Sequence, residues 1–152
     1  MSEDFELKVK WEATEAPFEY DKYSRQYRVT VPGKADIVAS AAPAFKGDGA
    51  LHNPEDFLVA AVSGCHLLTY LALAAKMRIT VLGYNDRASA NLEKVGKTSK
   101  ITSMTLRPKV ILREENLIEK ARQLHEKAHE YCFIAQSVNF PVKLEPEFVL
   151  QS

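Results

Sequence analysis

The residues able to do chemistry gather in two short stretches. S-G-C-H sets Cys65 beside His66, and H-E-K-A-H-E-Y-C, His125 to Cys132, sets a second cysteine behind two histidines. Read as a helix, the second stretch places His125, His129 and Cys132 at i, i+4 and i+7, on one face. Its first five letters form H-E-x-x-H, which in zinc proteases supplies two ligands and a general base, here His125, His129 and Glu126. Catalytic zinc needs a third protein ligand. Metzincin spacing puts that ligand at Ala135, which cannot bind metal, and only a strand-like tail remains downstream. The motif is short enough to arise by chance in a helix rich in Glu and His. We therefore expect no metal here, and read His125 and His129 as the polar flank of an amphipathic helix.

A thiol reading has more support. Cys65 and Cys132 are the only cysteines. Two helices that pack together can bring two sulfurs within disulfide distance. The competing reading is plain burial, since a free cysteine usually behaves as a small hydrophobe. His66 either tunes its neighbouring thiol or satisfies a core hydrogen bond, and His52 reads as a loop residue.

The rest of the chain narrows the setting. Its 152 residues suit a single domain, 1–152, with a sizeable core. Lys plus Arg and Asp plus Glu number 20 each, so no global field favours nucleic acid or a membrane surface. The opening M-S-E-D-F-E-L-K-V-K-W-E has no apolar signal core, which leads us to expect a reducing, cytoplasmic compartment.

Periodicity orders the elements. F-E-L-K-V-K-W, Q-Y-R-V-T-V-P-G and A-D-I-V-A-S read as three strands, with a polar, aromatic loop after the first. Asn53 and Pro54 open a long helix as N-cap and first residue, and Glu55 and Asp56 suit its positive end. It runs to about Lys76 or Arg78. Residues 79–94 and 100–113 read as two long strands, with Pro108 marking an edge or a bulge. A second helix spans about Glu114 to Phe133, and S-V-N-F-P-V-K-L-E-P-E-F-V-L closes as a last strand. The order is βββ-α-ββ-α-β, an α+β class. Residues 57–75 contain no charged side chain. That run is long enough to cross a bilayer, but it reads better as the apolar core helix of a soluble protein. So apolar a helix needs more cover than one short chain provides, which points to a dimer.

Together these stretches resemble the OsmC/Ohr family, bacterial proteins that include thiol-dependent organic hydroperoxide reductases. The likeness covers most of the chain. G-A-L-H-N-P-E-D-F-L-V-A-A-V-S-G-C-H matches the family's N-P-E…C signature, and A-H-E-Y-C-F-I-A-Q-S-V resembles its second-cysteine block. The resemblance implies an intertwined homodimer with two long central helices. It also implies that Cys65 is the peroxide-reacting cysteine, Cys132 the resolving one, and Glu55 the holder of a catalytic arginine. The loop A-P-A-F-K-G-D-G-A contains no arginine. Y-S-R-Q-Y-R offers Arg25 and Arg28, and Arg25, at the loop-to-strand junction, is the better placed. His66 stands where reductases of this family carry an aromatic residue.

The expected mechanism follows. A Cys65 thiolate attacks an organic hydroperoxide, the sulfenic acid condenses with Cys132, and an external dithiol such as a lipoylated protein regenerates both thiols. No metal or prosthetic group is needed. The alternative is an OsmC-like protein that senses redox state or binds an apolar ligand without efficient peroxidase activity.

Overall fold

A computed structural model describes residues 2–151. The chain separates into two compact units, Met1–Leu58 and Val59–Ser152.

The first unit is a three-stranded antiparallel sheet, β1 (Lys8–Lys10), β2 (Tyr27–Thr30) and β3 (Ile37–Ala39), in that order. β1 is shorter than the alternation from Phe5 to Trp11 suggests, and the apolar side chains of that stretch, Phe5, Leu7, Val9 and Trp11, are exposed. Between β1 and β2, Trp11, Phe18 and Tyr23 pack ring on ring, with centroids 5.1 to 6.3 Å apart. The Trp11 indole N–H donates to the Ser24 carbonyl at 2.7 Å. After β3 the chain turns tightly at Lys46 and Gly47. A Cβ on Gly47 would lie 1.7 Å from the Ala41 carbonyl oxygen, so only glycine permits this approach.

Helix α1 (Pro54–Lys76) begins as the sequence indicates. The Asp56 N–H donates to Asn53 Oδ1 at 2.9 Å, and the Asn53 N–H donates back to Asp56 Oδ2 at 3.2 Å, a reciprocal capping box. At its far end Arg78 adopts φ +58° while the Ile79 N–H donates to the Ala74 carbonyl, closing the last turn.

The second unit holds the rest of α1, helix α2 (Ile118–Tyr131) and six strands: β4 (Val81–Asp86), β5 (Ser89–Val95), β6 (Thr98–Leu106), β7 (Pro108–Leu112), β8 (Val142–Leu144) and β9 (Glu147–Leu150). They form two sheets, β4-β7-β9 and β5-β6-β8. Both helix-crossing connections return in parallel, β6 with β8 and β7 with β9; the others are antiparallel. Each long strand expected from the sequence is broken in two, at Arg87–Ala88, at Arg107 and at Glu145–Pro146. Pro108 sits at neither an edge nor a bulge. It is the first residue of β7, the middle strand of its sheet, where a missing N–H costs least. The β5–β6 hairpin turns on Gly96-Lys97 with positive φ at Gly96 only, the II′ pattern.

The core of this unit lies between α1, α2 and β4-β7-β9: Tyr70, Ala74, Ile79, Val110, Leu112, Ala121, Leu124 and Ala128. Burying a side chain such as Leu112 contributes about 1.5–3 kcal/mol. The Tyr70 hydroxyl donates to the Ala121 carbonyl at 2.9 Å, tying α1 to α2 through a buried bond. Asp86 fastens α1 to the strands: it accepts from the Ser63 hydroxyl and from the Arg107 N–H, both at 2.6 Å. Although α1 is long and apolar enough to cross a bilayer, one side of it packs here through Val62, His66, Tyr70 and Ala74. The other side, Ala60, Ala61, Leu68, Leu71, Ala72 and Ala75, is exposed.

Candidate active site

Cys65 lies half-buried in the middle of α1. Cys132 is fully buried, but it does not belong to a helix. α2 ends at Tyr131, short of the expected Phe133, and Cys132 caps it with φ −73° and ψ 109°. The sulfur therefore leaves the helical face shared by His125 and His129 and starts a tight turn. In that turn the Gln136 N–H donates to the Cys132 carbonyl and the Ser137 hydroxyl to the Phe133 carbonyl. The turn points amides at both sulfurs. The Ala135 N–H donates to Cys132 Sγ at 3.4 Å, while the amides of Ile134 and Phe133 serve Cys65. The two thiols are close enough to shift each other's acidity.

This arrangement splits their acidities. Burial raises the Cys65 thiol, but the Ile134 amide, the Cys132 thiol and the Phe133 amide together more than offset it, leaving Cys65 more acidic than an ordinary thiol. The Thr69 hydroxyl also neighbours this sulfur, yet its single proton goes to the Cys65 carbonyl at 2.9 Å. The amides are therefore the dependable donors. Cys132 moves the other way, because burial and the adjacent Cys65 both disfavour its thiolate. The two acidities are driven apart: Cys65 becomes more acidic, and Cys132 is pushed up to about 11.

Behind the thiols lies a pair that the sequence reading missed. His125 is no polar flank; it is 1% exposed, as is His66. His66 Nε2 and His125 Nδ1 are 2.9 Å apart and share one proton in a hydrogen bond between α1 and α2. The rings are nearly parallel, and Tyr70 stacks on His125 at 4.1 Å. His66 thus makes the core hydrogen bond that was one of its two expected roles. The signal was present: Ile118, Ala121, His125 and Ala128 continue one three- and four-residue stripe. His129 is half-buried, and its Nδ1 has no partner among the described residues.

The His66–His125 bond ties the first histidine of H-E-x-x-H into the core. His125 Nδ1 is engaged by His66, and Glu126 is exposed. Among the described residues no three His, Cys, Asp or Glu side chains converge as a ligand set.

Arg25 and Glu55 both lie in the first unit, and they are not paired there. The Arg25 guanidinium donates to the carbonyls of Tyr20 at 2.6 Å and Tyr23 at 3.0 Å, and lies over the Tyr23 ring at 4.0 Å. Glu55 keeps one carboxylate oxygen buried without a partner, and its charge, after burial, helps raise the Tyr27 hydroxyl. Arg28 pairs with Asp36 at 3.2 Å across the sheet. An apolar groove of about 490 Å³ runs beside Arg25, lined mainly by Val9, Trp11, Phe18, Tyr23, Tyr27 and Pro54.

Fold and site together define an α+β protein whose central helix carries an acidified thiol near a second thiol in the turn after α2. The OsmC-like protein profile matches residues 47–147, and the chain belongs to that family. An OsmC-like protein of unknown function from Vibrio cholerae is 33% identical, with a TM-score of 0.89 over 95% of this chain and 99% of that one. The fold is also shared with an organic hydroperoxide resistance protein from Legionella pneumophila (18% identity, TM-score 0.67, 97% and 98% covered). Another sharer is the organic hydroperoxide resistance protein OhrB of Bacillus subtilis (21% identity, TM-score 0.62, 95% and 98% covered). No curated protein matches the chain significantly.

Proposed function

We propose that this chain is a thiol peroxidase for organic hydroperoxides, working through Cys65 and Cys132. What supports the reading is that a half-buried thiol, made more acidic, neighbours a buried thiol pushed up to about 11. The Cys65 thiolate attacks the distal peroxide oxygen. An S–O bond forms, the O–O bond breaks, and the departing alkoxide takes a proton from water. Cys132 then loses its proton and attacks the Cys65 sulfenic sulfur; the S–S bond forms and the leaving hydroxide departs with that proton as water. An external dithiol, of the lipoyl type, reduces the disulfide in two exchange steps. No metal or prosthetic group enters the cycle.

In this reading the Phe133 and Ile134 amides hold the thiolate, and Arg25, released from the Tyr20 and Tyr23 carbonyls, is oriented by Glu55 to stabilise the developing charge. A second copy covers the exposed face of α1, where Ala61, Gly64, Leu68, Leu71 and Ala75 recur at three- and four-residue steps. The working compartment is the reducing cytoplasm.

A second reading, an OsmC-like redox sensor or apolar-ligand binder without efficient turnover, is favoured by one feature: Arg25 is satisfied where it stands. Mass spectrometry of the reduced protein before and after one equivalent of cumene hydroperoxide separates the two. The peroxidase gives rapid consumption and a Cys65–Cys132 disulfide that Cys65→Ser abolishes. Surviving peroxide with both thiols free sinks it and leaves the second reading.

A further inference from the structure

The fold buries two imidazoles one residue away from Cys65 and seven before Cys132, and the chemistry proposed for the thiols uses neither. We propose that His66 and His125 form an acid-sensitive latch between α1 and α2, one that positions Cys65 against Cys132 and frees the thiols from each other when the rings take up protons.

The geometry carries this. The bond of 2.9 Å joins α1, which carries Cys65, to α2, whose end leads directly into Cys132, and both rings are 1% exposed. A neutral pair can make only one such bond, so His66 Nδ1 and His125 Nε2 remain buried with no partner. Whichever tautomers are present, one of those outer atoms is an N–H and the other a lone pair. A proton added to the lone pair would create a buried cation.

Little around the pair would welcome that charge. From α1, Tyr70 stacks on the rings. From α2, Arg122 opposes a charge on His125 and His129 opposes one on His66. From β9, Phe148 lies 5.8 Å from the His125 ring. β4 contributes the Tyr84 ring and Asp86, the one carboxylate that favours a charged His66. Asp86 is already committed to the Ser63 hydroxyl and the Arg107 N–H. Burial accordingly pushes His66 down to about 4 and His125 down to about 3.

The sign follows by linkage. Closed, the rings stay neutral; opened to water, each binds a proton near its ordinary value of 6.5. Falling pH therefore favours the open state, and the effect begins in mild acid, far above the values of the closed pair. Two such rings raise the opening constant about a hundred-fold between roughly pH 7.5 and pH 5.5. The latch is a property of helix packing and goes beyond the peroxidase reading: it concerns whether the sulfurs touch, whatever oxidises them.

The test is amide hydrogen exchange of α2 in the reduced protein across that range, expressed as protection against the unstructured rate. It is compared with the variant His66→Gln/His125→Asn, whose amides occupy the bonding positions but do not titrate. Wild type should lose about a hundred-fold of protection, and the variant should stay nearly flat. Equal slopes overturn the latch. If the variant does not fold, imidazole nitrogen shifts of the wild type decide. Both rings neutral in the folded protein at roughly pH 5.5, while α2 loses protection, supports it; titration of either folded ring near its ordinary value overturns it. Loss of hydroperoxide turnover with an intact latch would instead count only against the peroxidase reading.

Discussion

The Cys65–Cys132 pair and the Arg25–Glu55 pair are the two halves of the expected site, and the single chain treats them differently. The thiols lie in one unit, where α1 and the turn after α2 supply their neighbours. Arg25 and Glu55 share the other unit without meeting: one is tied to tyrosine carbonyls, and the other keeps a buried oxygen unpartnered. A thiolate can be stabilised by amides that any sequence carries. A guanidinium is a side chain that the fold itself must place beside the sulfur.

The sharpest way to break this comparison is at sulfur. Cys65→Ser should abolish hydroperoxide consumption, whereas Cys132→Ser should keep the first turnover and accumulate sulfenic acid, followed by stopped-flow and mass spectrometry. Equal losses in both would remove the division of labour. Next comes Arg25→Met beside Glu55→Gln. If the arginine moves to the thiol during reaction, both should slow Cys65 oxidation by about a hundred-fold, the scale of losing one preorganised donor. Unchanged rates would leave the amides as the sole support.

His125→Phe tests the bond behind the thiols. It leaves His66 Nε2 buried and unpartnered, which costs about 1–3 kcal/mol in a urea melt at neutral pH. The wild type should also lose stability as pH falls from about 6.5 towards 4, since the folded rings resist the protons that the unfolded chain accepts. The smallest effect belongs to the first unit: Asn53→Ala removes one side of the capping box and should cost about 1 kcal/mol of α1 stability. A larger loss there than at His125 would mean the start of α1 is more tightly coupled than its local bonds show.

Much of this was legible from residue types. Asn53-Pro54 announced the start of α1 because capping is local chemistry, and both cysteine contexts named the family. The strand breaks were not legible. Arg87, Arg107 and Glu145 look like ordinary polar strand residues, and at Arg107 the N–H goes to the Asp86 carboxylate rather than to a strand partner. His125 was misread for a different reason. Its chemistry suggested a surface while its position on the apolar stripe indicated the core, and position prevailed once His66 offered a partner. The amides of Phe133 and Ile134 had no side-chain signal at all, since the backbone that serves Cys65 is set by where α2 stops.

That stopping point also matters for the history of each molecule. Cys65 and Cys132 are 67 positions apart in the chain, and the amides that sharpen Cys65 follow the second of them. Contacts so distant in sequence close late, after local helices and hairpins have formed. A newly made chain thus passes through an interval in which its first cysteine is neither activated nor protected. Oxidant met during that interval finds an ordinary thiol, so the reactivity that would make this protein useful is withheld until the chain that must survive it is complete.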